Sequence, residues 1–215
     1  MKTLIFIGIL LTNFSSLAQQ IITDRPDQTE SSSTIPKNSL QIESGLLIGF
    51  SEGEFYSERQ ILAPSNLFRF GITNGIEIRV LNQFESVKKS YYSNQITGIS
   101  DLEVGTKIQI LRKENINTEI AFLSHLILPT GSKELSNNNF GIINKLSISH
   151  QISETIGLGY NIGYNNYGEE LGDFTYSLAL GFSISEKASI YIEPYGEVTE
   201  FEEHYANFDA GVTYL

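Results

Sequence analysis

Among 215 residues there is no cysteine and no tryptophan, and only three histidines. Without a thiol the chain forms no disulfide, offers no thiolate to a metal and carries no lipid on a cysteine after its leader. Positive charge is also scarce. Lys and Arg number 14 against 25 Asp and Glu, a net charge of −11, which argues against nucleic acid as a partner. The early apolar run from Leu4 to Leu11 is about eight residues long, where a membrane-crossing helix needs roughly 20. A mean hydropathy of −0.09 is too polar for a bundle of membrane helices. It does not exclude a membrane barrel, which needs apolar residues only at alternate positions.

The N-terminus has one early charge at Lys2, then the apolar run, a polar stretch from Thr12, and Ser16-Leu17-Ala18 before Gln19-Gln20. This is the pattern of a cleavable secretory signal over residues 1–18. Taking 18 from 215 leaves 197 residues, and losing Lys2 moves the net charge from −11 to −12. That length suits one barrel or sandwich. Residues 19–37 are rich in Asp, Ser, Thr and Pro without periodicity, and read as an extended periplasmic arm.

From Asn38 onward almost every segment alternates apolar with polar or small residues. Leu40, Ile42, Leu46, Ile48 and Phe50 share one face, with Gln41, Glu43, Gly45 and Gly49 on the other. That is the two-residue period of a strand with unlike faces. The same pattern recurs around Phe68–Ile72, Ile76–Val80, Leu102–Ile110, Ile116–Leu128, Lys145–Ser149, Ile156–Tyr164, Phe174–Ile184, Ile190–Glu193 and Asn207–Tyr214, giving ten strands. Tight turns at Asn74-Gly75, Lys113-Glu114-Asn115, Ser153-Glu154-Thr155 and Ser185-Glu186-Lys187 alternate with longer connections. The longer ones are Ser51–Glu58, Glu85–Gly98, Pro129–Phe140, Asn165–Gly172 and Val198–Ala206. Short turns at one end and long loops at the other are the habit of outer-membrane barrels.

The expected fold is therefore all-β: an antiparallel transmembrane β-barrel of about ten strands (8–12) in meander order over residues 38–215, preceded by the arm. A soluble ligand-binding barrel, with its apolar face inward, is the competing arrangement. Three features favour the membrane form. The polar faces around Gly157 and Gly181 carry Gly, Ser, Ala and Asn rather than Lys and Glu. Large apolar residues fill the other face, with Phe50, Phe84, Tyr164, Phe174 and Tyr214 near strand ends as in aromatic girdles. A secreted product with no cysteine to staple it also suits an envelope barrel. The lack of Trp weakens the girdle argument, and Asn144 and His150 fall on the lipid-facing phase.

Thr23-Asp24-Arg25-Pro26-Asp27-Gln28-Thr29-Glu30-Ser31, Ile35-Pro36-Lys37-Asn38 and Leu40 to Gly45 resemble segments of a known family, as do Leu67 to Gly71, Gly98 to Leu102 with Gly105-Thr106-Lys107, and Ala121 to Ser132, which contains Leu128-Pro129-Thr130-Gly131-Ser132. The chain is similar to the outer-membrane, transporter-like proteins grouped as putative MetA-pathway of phenol degradation. The resemblance spans nearly all of the mature chain. It implies a secreted outer-membrane barrel with a channel role and establishes no activity on phenol. It also implies a further hairpin beyond Tyr214-Leu215, without which ten strands would leave an imperfectly closed barrel with an exposed edge.

Little here looks like catalysis. In Ser124-His125 and Ser149-His150 the two side chains of each pair point to opposite faces of a strand, so neither forms a dyad by itself. His125 with Glu119 and a serine from a neighbouring strand would imitate a membrane-embedded hydrolase, though a polar lining residue is the simpler reading. No metal site with ligand spacing is present and no cofactor is expected. Glu52, Glu54, Glu58, Glu200, Glu202 and Glu203 fall in predicted outside loops, where they would be solvated or bind cations bridging lipopolysaccharide.

The lumen residues expected to carry or bind a small solute are Glu43, Arg69, Glu77, Arg79, Glu103, Lys107, Glu119, His125 and Lys145. Asp24, Arg25, Asp27 and Glu30 in the arm would either plug that lumen, pairing with Arg69, Arg79 or Lys107, or belong to a solvated linker. Expected partners are outer-membrane lipids, the barrel-assembly machinery and a small-molecule solute. The expected location is the cell outer membrane, with a closed structural or adhesive barrel as the alternative role.

Overall fold

The computed structural model describes residues 21–25, 28–53, 56–90, 94–113, 116–168 and 171–214. The predicted leader, Asp27, Glu54, the turn residues Glu114 and Asn115, and Leu215 lie outside them. The described residues form eleven strands and no helix: β1 (Leu40–Glu52), β2 (Ser57–Thr73), β3 (Ile76–Lys89), β4 (Ile96–Ile99), β5 (Leu102–Leu111), β6 (Thr118–Leu128), β7 (Gly141–Gln151), β8 (Ile156–Asn166), β9 (Asp173–Ser183), β10 (Ala188–Thr199) and β11 (Glu203–Tyr214). All pair antiparallel with chain neighbours, a meander, except that β3 pairs both β4 and β5. β4 lies against Phe84–Val87 and β5 against Ile76–Leu81, so the two act as one strand interrupted at Ser100-Asp101. Each of the ten predicted strands has its counterpart.

The hairpin of β2 and β3 shows how the sequence fixes the register. Gly75 sits at φ 113°, a conformation that L residues with a Cβ rarely adopt, and closes the two-residue turn between β2 and β3. Arg69 then stands opposite Arg79, and Gly71 opposite Glu77.

Four of the predicted long connections are shorter than expected, Asn165–Gly172 by two residues at its start. Ser51–Glu58 reduces to 53–56 and Val198–Ala206 to 200–202, while β3 runs on to Lys89 and β4 occupies the end of Glu85–Gly98. The ladder continues there although the apolar alternation stops. Glu58 and Lys89, an adjacent cross-strand pair with N···O 3.2 Å, show why: both faces carry polar residues, so period gives no signal.

The sheet is strongly curled. β1 and β10 are eight steps apart in sheet order, which would separate them by about 38 Å if the sheet were flat. Yet the backbone amide of Asp24 donates to Glu43 on β1 (3.0 Å) and that of Thr29 donates to Glu193 on β10 (2.7 Å). Five residues reach about 17 Å at most, so the inner faces of those strands confront each other. Closure is incomplete: among the described residues β1 pairs only with β2 and β11 only with β10. The expected barrel is thus a curled half-barrel with two free margins.

Its packing is inverted relative to a water-soluble domain. The largest fully buried side chains include Arg69, Arg79, Lys107, Glu77 and Glu193. Ile78, Ile108, Leu126, Ile162, Leu178 and Ile192 on the opposite phase are exposed, Ile162 by 46%. The inner face is less uniformly polar than expected, because Leu67, Leu123 and Ile127 are also buried on it.

Candidate functional site

Residues 21–25 and 28–39, ahead of β1, carry no strand and run along the inner face. Their hydrogen bonds reach most of the sheet: Glu30 N–H to Asn161 Oδ1 on β8 (2.6 Å), Ser32 Oγ to Ser149 Oγ on β7 (2.9 Å), Ser33 Oγ to Glu119 Oε2 on β6 (2.9 Å) and Ile35 N–H to Glu77 Oε2 on β3 (2.8 Å). A strand-less segment must place its amide groups somewhere, and inward carboxylates and amides accept them.

At the centre of this contact, one oxygen of Asp24 meets three cations. Asp24 Oδ2 lies 3.2 Å from Arg69 Nη1, 2.5 Å from Arg79 Nη1 and 2.7 Å from Lys107 Nζ. Glu30 Oε2 adds contacts to Arg79 Nη2 (2.8 Å) and Lys107 Nζ (3.5 Å). From the strands, Glu77 bridges Arg69 and Arg79 at 2.9 Å each, and Glu43 accepts from Arg69 at 2.9 Å. Burial alone pushes the Asp24 carboxyl up. Lys107, Arg79 and Arg69 outweigh that penalty and hold it well below the usual carboxylate range.

His125 extends the network upward. Arg79 Nε donates to its Nε2 (3.1 Å), which leaves Nδ1 as the protonated nitrogen, 2.9 Å from Glu103 Oε2. Both ring nitrogens are therefore engaged by Arg79 and Glu103, and the serine–histidine arrangement of a hydrolase is not assembled there. His150, on the outer phase, bonds Thr118 Oγ1 (2.8 Å) and Tyr160 Oη (3.3 Å).

The leading segment borders two recesses, of about 1370 Å³ and about 900 Å³. The larger is lined by Gln83, Glu103, His125 and Lys145 together with Leu123 and Ile143. The smaller lies toward the tight-turn end, among Arg112, Glu119, Ser149, Gly157 and Gly181. Both are of a size that holds small solutes.

Segments far apart in the chain, the Asp24 to Ser31 stretch among them, meet in this one constellation, and a family model covers them all. The description it carries is putative MetA-pathway of phenol degradation, and it matches residues 23–215. The chain belongs to this family. Comparison with curated proteins found no match.

The MetA-pathway family stretches that stood out in the sequence are therefore structural partners. Asp24 and Arg25 sit against Arg69 and Ser65 of β2. At the loop end, Asp101 accepts the amides of Gly131 (2.8 Å) and Asn137 (3.0 Å), while Ile99 N–H donates to Ser132 Oγ (3.0 Å). A Cβ on Gly98 would fall 2.1 Å from Ser132 Oγ, so only glycine lets these two stretches touch.

Of the expected site residues, Glu43, Arg69, Glu77, Arg79, Lys107 and His125 are buried together around Asp24, with Glu103 and Glu30 beside them. Glu119 stands apart, paired with Arg112 (3.2 Å), and among the described residues Lys145 reaches the Gln28 carbonyl at 3.5 Å. Arg25 bonds Ser65 rather than a carboxylate. The described residues hold no group of three or more His, Asp or Glu arranged for a metal.

One residue went unsingled in the sequence: Glu193, fully buried on β10, which accepts the amides of Gln28 (2.8 Å) and Thr29 (2.7 Å) and the Thr29 hydroxyl. Its position in the inward phase of a strand otherwise poor in charge was the available signal.

Proposed function

We propose that the protein is an outer-membrane β-barrel that lets a small solute pass or bind within its charged interior. The observation that carries this reading is the inverted packing: bulky residues such as Ile162 and Leu178 are exposed while Arg69, Arg79, Glu77 and Lys107 are buried. Hydrocarbon tails are the solvent that suits such a surface, and a polar interior suits an aqueous path. In this reading residues 1–18 direct export, the tight-turn end faces the periplasm, and lipids and the barrel-assembly machinery are its partners. No covalent step is assigned. Passage would be passive, past a wall of mixed charge.

A second reading, a barrel without transport, draws on the leading segment that occupies the interior between β1 and β10. Planar-bilayer recording separates the two. The mature chain and a form lacking residues 19–33 are compared, with larger unitary currents expected from the shortened form. Currents absent from both would remove the transport reading.

A further inference from the structure

The wall around Asp24 is charged for an occupant that the strands do not supply. Arg69, Arg79 and Lys107 face only two strand carboxylates in contact, Glu43 and Glu77, a surplus of one positive charge in a buried place. The leading segment answers that surplus with two carboxylates, Asp24 and Glu30, so the seated cluster carries one more negative charge than positive. A buried guanidinium or ammonium that loses its counter-ion is strongly destabilised, so the segment cannot leave unless another anion takes its place. We propose that Asp24 and Glu30 stand in for the solute itself: the site takes a small organic carboxylate, best a dicarboxylate, which displaces the segment by exchanging for its two acidic side chains.

The chemistry fits a carboxylate in particular. Asp24 Oδ2 is shared by an Arg79 Nη1, an Arg69 Nη1 and the Lys107 ammonium, a convergent set of donors. Guanidinium groups bind planar carboxylates with two parallel hydrogen bonds. Arg79 presents Nη1 to Asp24 and Nη2 to Glu30, so one fork already holds two carboxylates at once. The recess of about 1370 Å³ beside the segment has Asp24, Arg25, Glu30, Arg69 and Arg79 in its lining, so a dicarboxylate held there would stand next to the cations, which are themselves buried while the segment is seated. Solute binding and opening of the interior then become one event. The seated segment is the resting state, and the solute that needs the path releases it.

The inference rests on the interior receiving a small solute, whether or not the solute passes through, and its test needs no current. Because the chain contains no cysteine, Ser32→Cys places one thiol in the whole protein, at a site only 1% exposed in the seated segment. The rate at which a charged, water-soluble maleimide labels this thiol is measured on the folded mature protein in detergent. Succinate at millimolar concentration is expected to raise the rate by about tenfold or more, whereas sodium chloride and methylammonium chloride at equal ionic strength leave it near the starting value. Adding Asp24→Asn is expected to give fast labelling with no succinate present.

Succinate acting no better than sodium chloride overturns the proposal. So does a thiol that labels at the unfolded rate before any anion is added, or an Asp24→Asn form that labels as slowly as its parent. If that variant does not fold, the succinate titration on Ser32→Cys alone still decides. Silent bilayers with succinate-dependent labelling would remove the transport reading and leave this one. Currents without any succinate effect would do the reverse.

Discussion

Glu193→Gln isolates the far anchorage of the leading segment. The carboxylate accepts three hydrogen bonds, Oε2 from the Gln28 amide and Oε1 from both the Thr29 amide and the Thr29 hydroxyl. Glutamine keeps one acceptor oxygen, so the two Thr29 bonds survive while Gln28 N–H faces an NH₂. Losing one hydrogen bond to a charged, buried acceptor costs about 1.5–3 kcal/mol. A second effect opposes it. Asp209 stands directly across from Glu193 on β11, and removing one of two like charges across a sheet relieves about 0.2–1 kcal/mol. The hydrogen bond wins, leaving a net loss of about 0.5–3 kcal/mol, or roughly 2- to 100-fold in the opening equilibrium. Hydrogen exchange at the amides of Gln28 and Thr29, followed by mass spectrometry in detergent, reads that ratio directly. Asp209→Asn is the control, because it relieves the same repulsion and keeps all three hydrogen bonds to Glu193. Equal exchange in Glu193→Gln and its parent, or equal acceleration by Asp209→Asn, refutes the assignment of Glu193 as an anchor.

The depressed Asp24 carboxyl has a signed consequence. Its contribution is present above the unfolded value of about 3.9 and is lost only as pH falls through the lower folded value, so the segment should stay protected at pH 4; release on going from pH 5 to 4 would contradict it. Ile162→Lys should weaken folding into lipid vesicles by about 2–4 kcal/mol in a denaturant titration, whereas a soluble barrel with that residue in water would tolerate it. Gly98→Ala should loosen the 129–140 loop at a cost of about 1–3 kcal/mol, seen as faster proteolytic nicking there, while Gly157→Ala, whose Cβ would meet nothing within 4 Å, should be neutral. Ester hydrolysis, if any is detected in the purified protein, should be the same after His125→Ala, since both ring nitrogens are held by Arg79 and Glu103.

The strands were legible because half of each one is large and apolar, as in Ile156 to Tyr164, and a two-residue period needs no tertiary knowledge. Where that contrast fades the reading fails for a physical reason. β4 is four residues long, and the outer parts of β2 and β3 carry polar groups on both faces. The inward cations were visible as the charged phase of their strands, and Asp24 and Glu30 as acids in a distinctive stretch. How that stretch lies was not readable, since it has no period of its own and its partners are as distant as Gln28 and Glu193, 165 positions apart. Leu123 and Ile127 show the remaining gap: period assigns a face, and only the fold says that an inner face has room for apolar groups.

The free margins at β1 and β11 give the short stretch from Asp24 to Thr29 a mechanical meaning. With Asp24 fastened to Glu43 on one margin strand and Thr29 to Glu193 beside the other margin, the number of residues between those two fastenings limits how far apart the rims can stand. Removing a single residue from the stretch would draw those fastenings together by up to about 3.5 Å, so the girth of the whole shell is gauged by a handful of residues that belong to none of its staves.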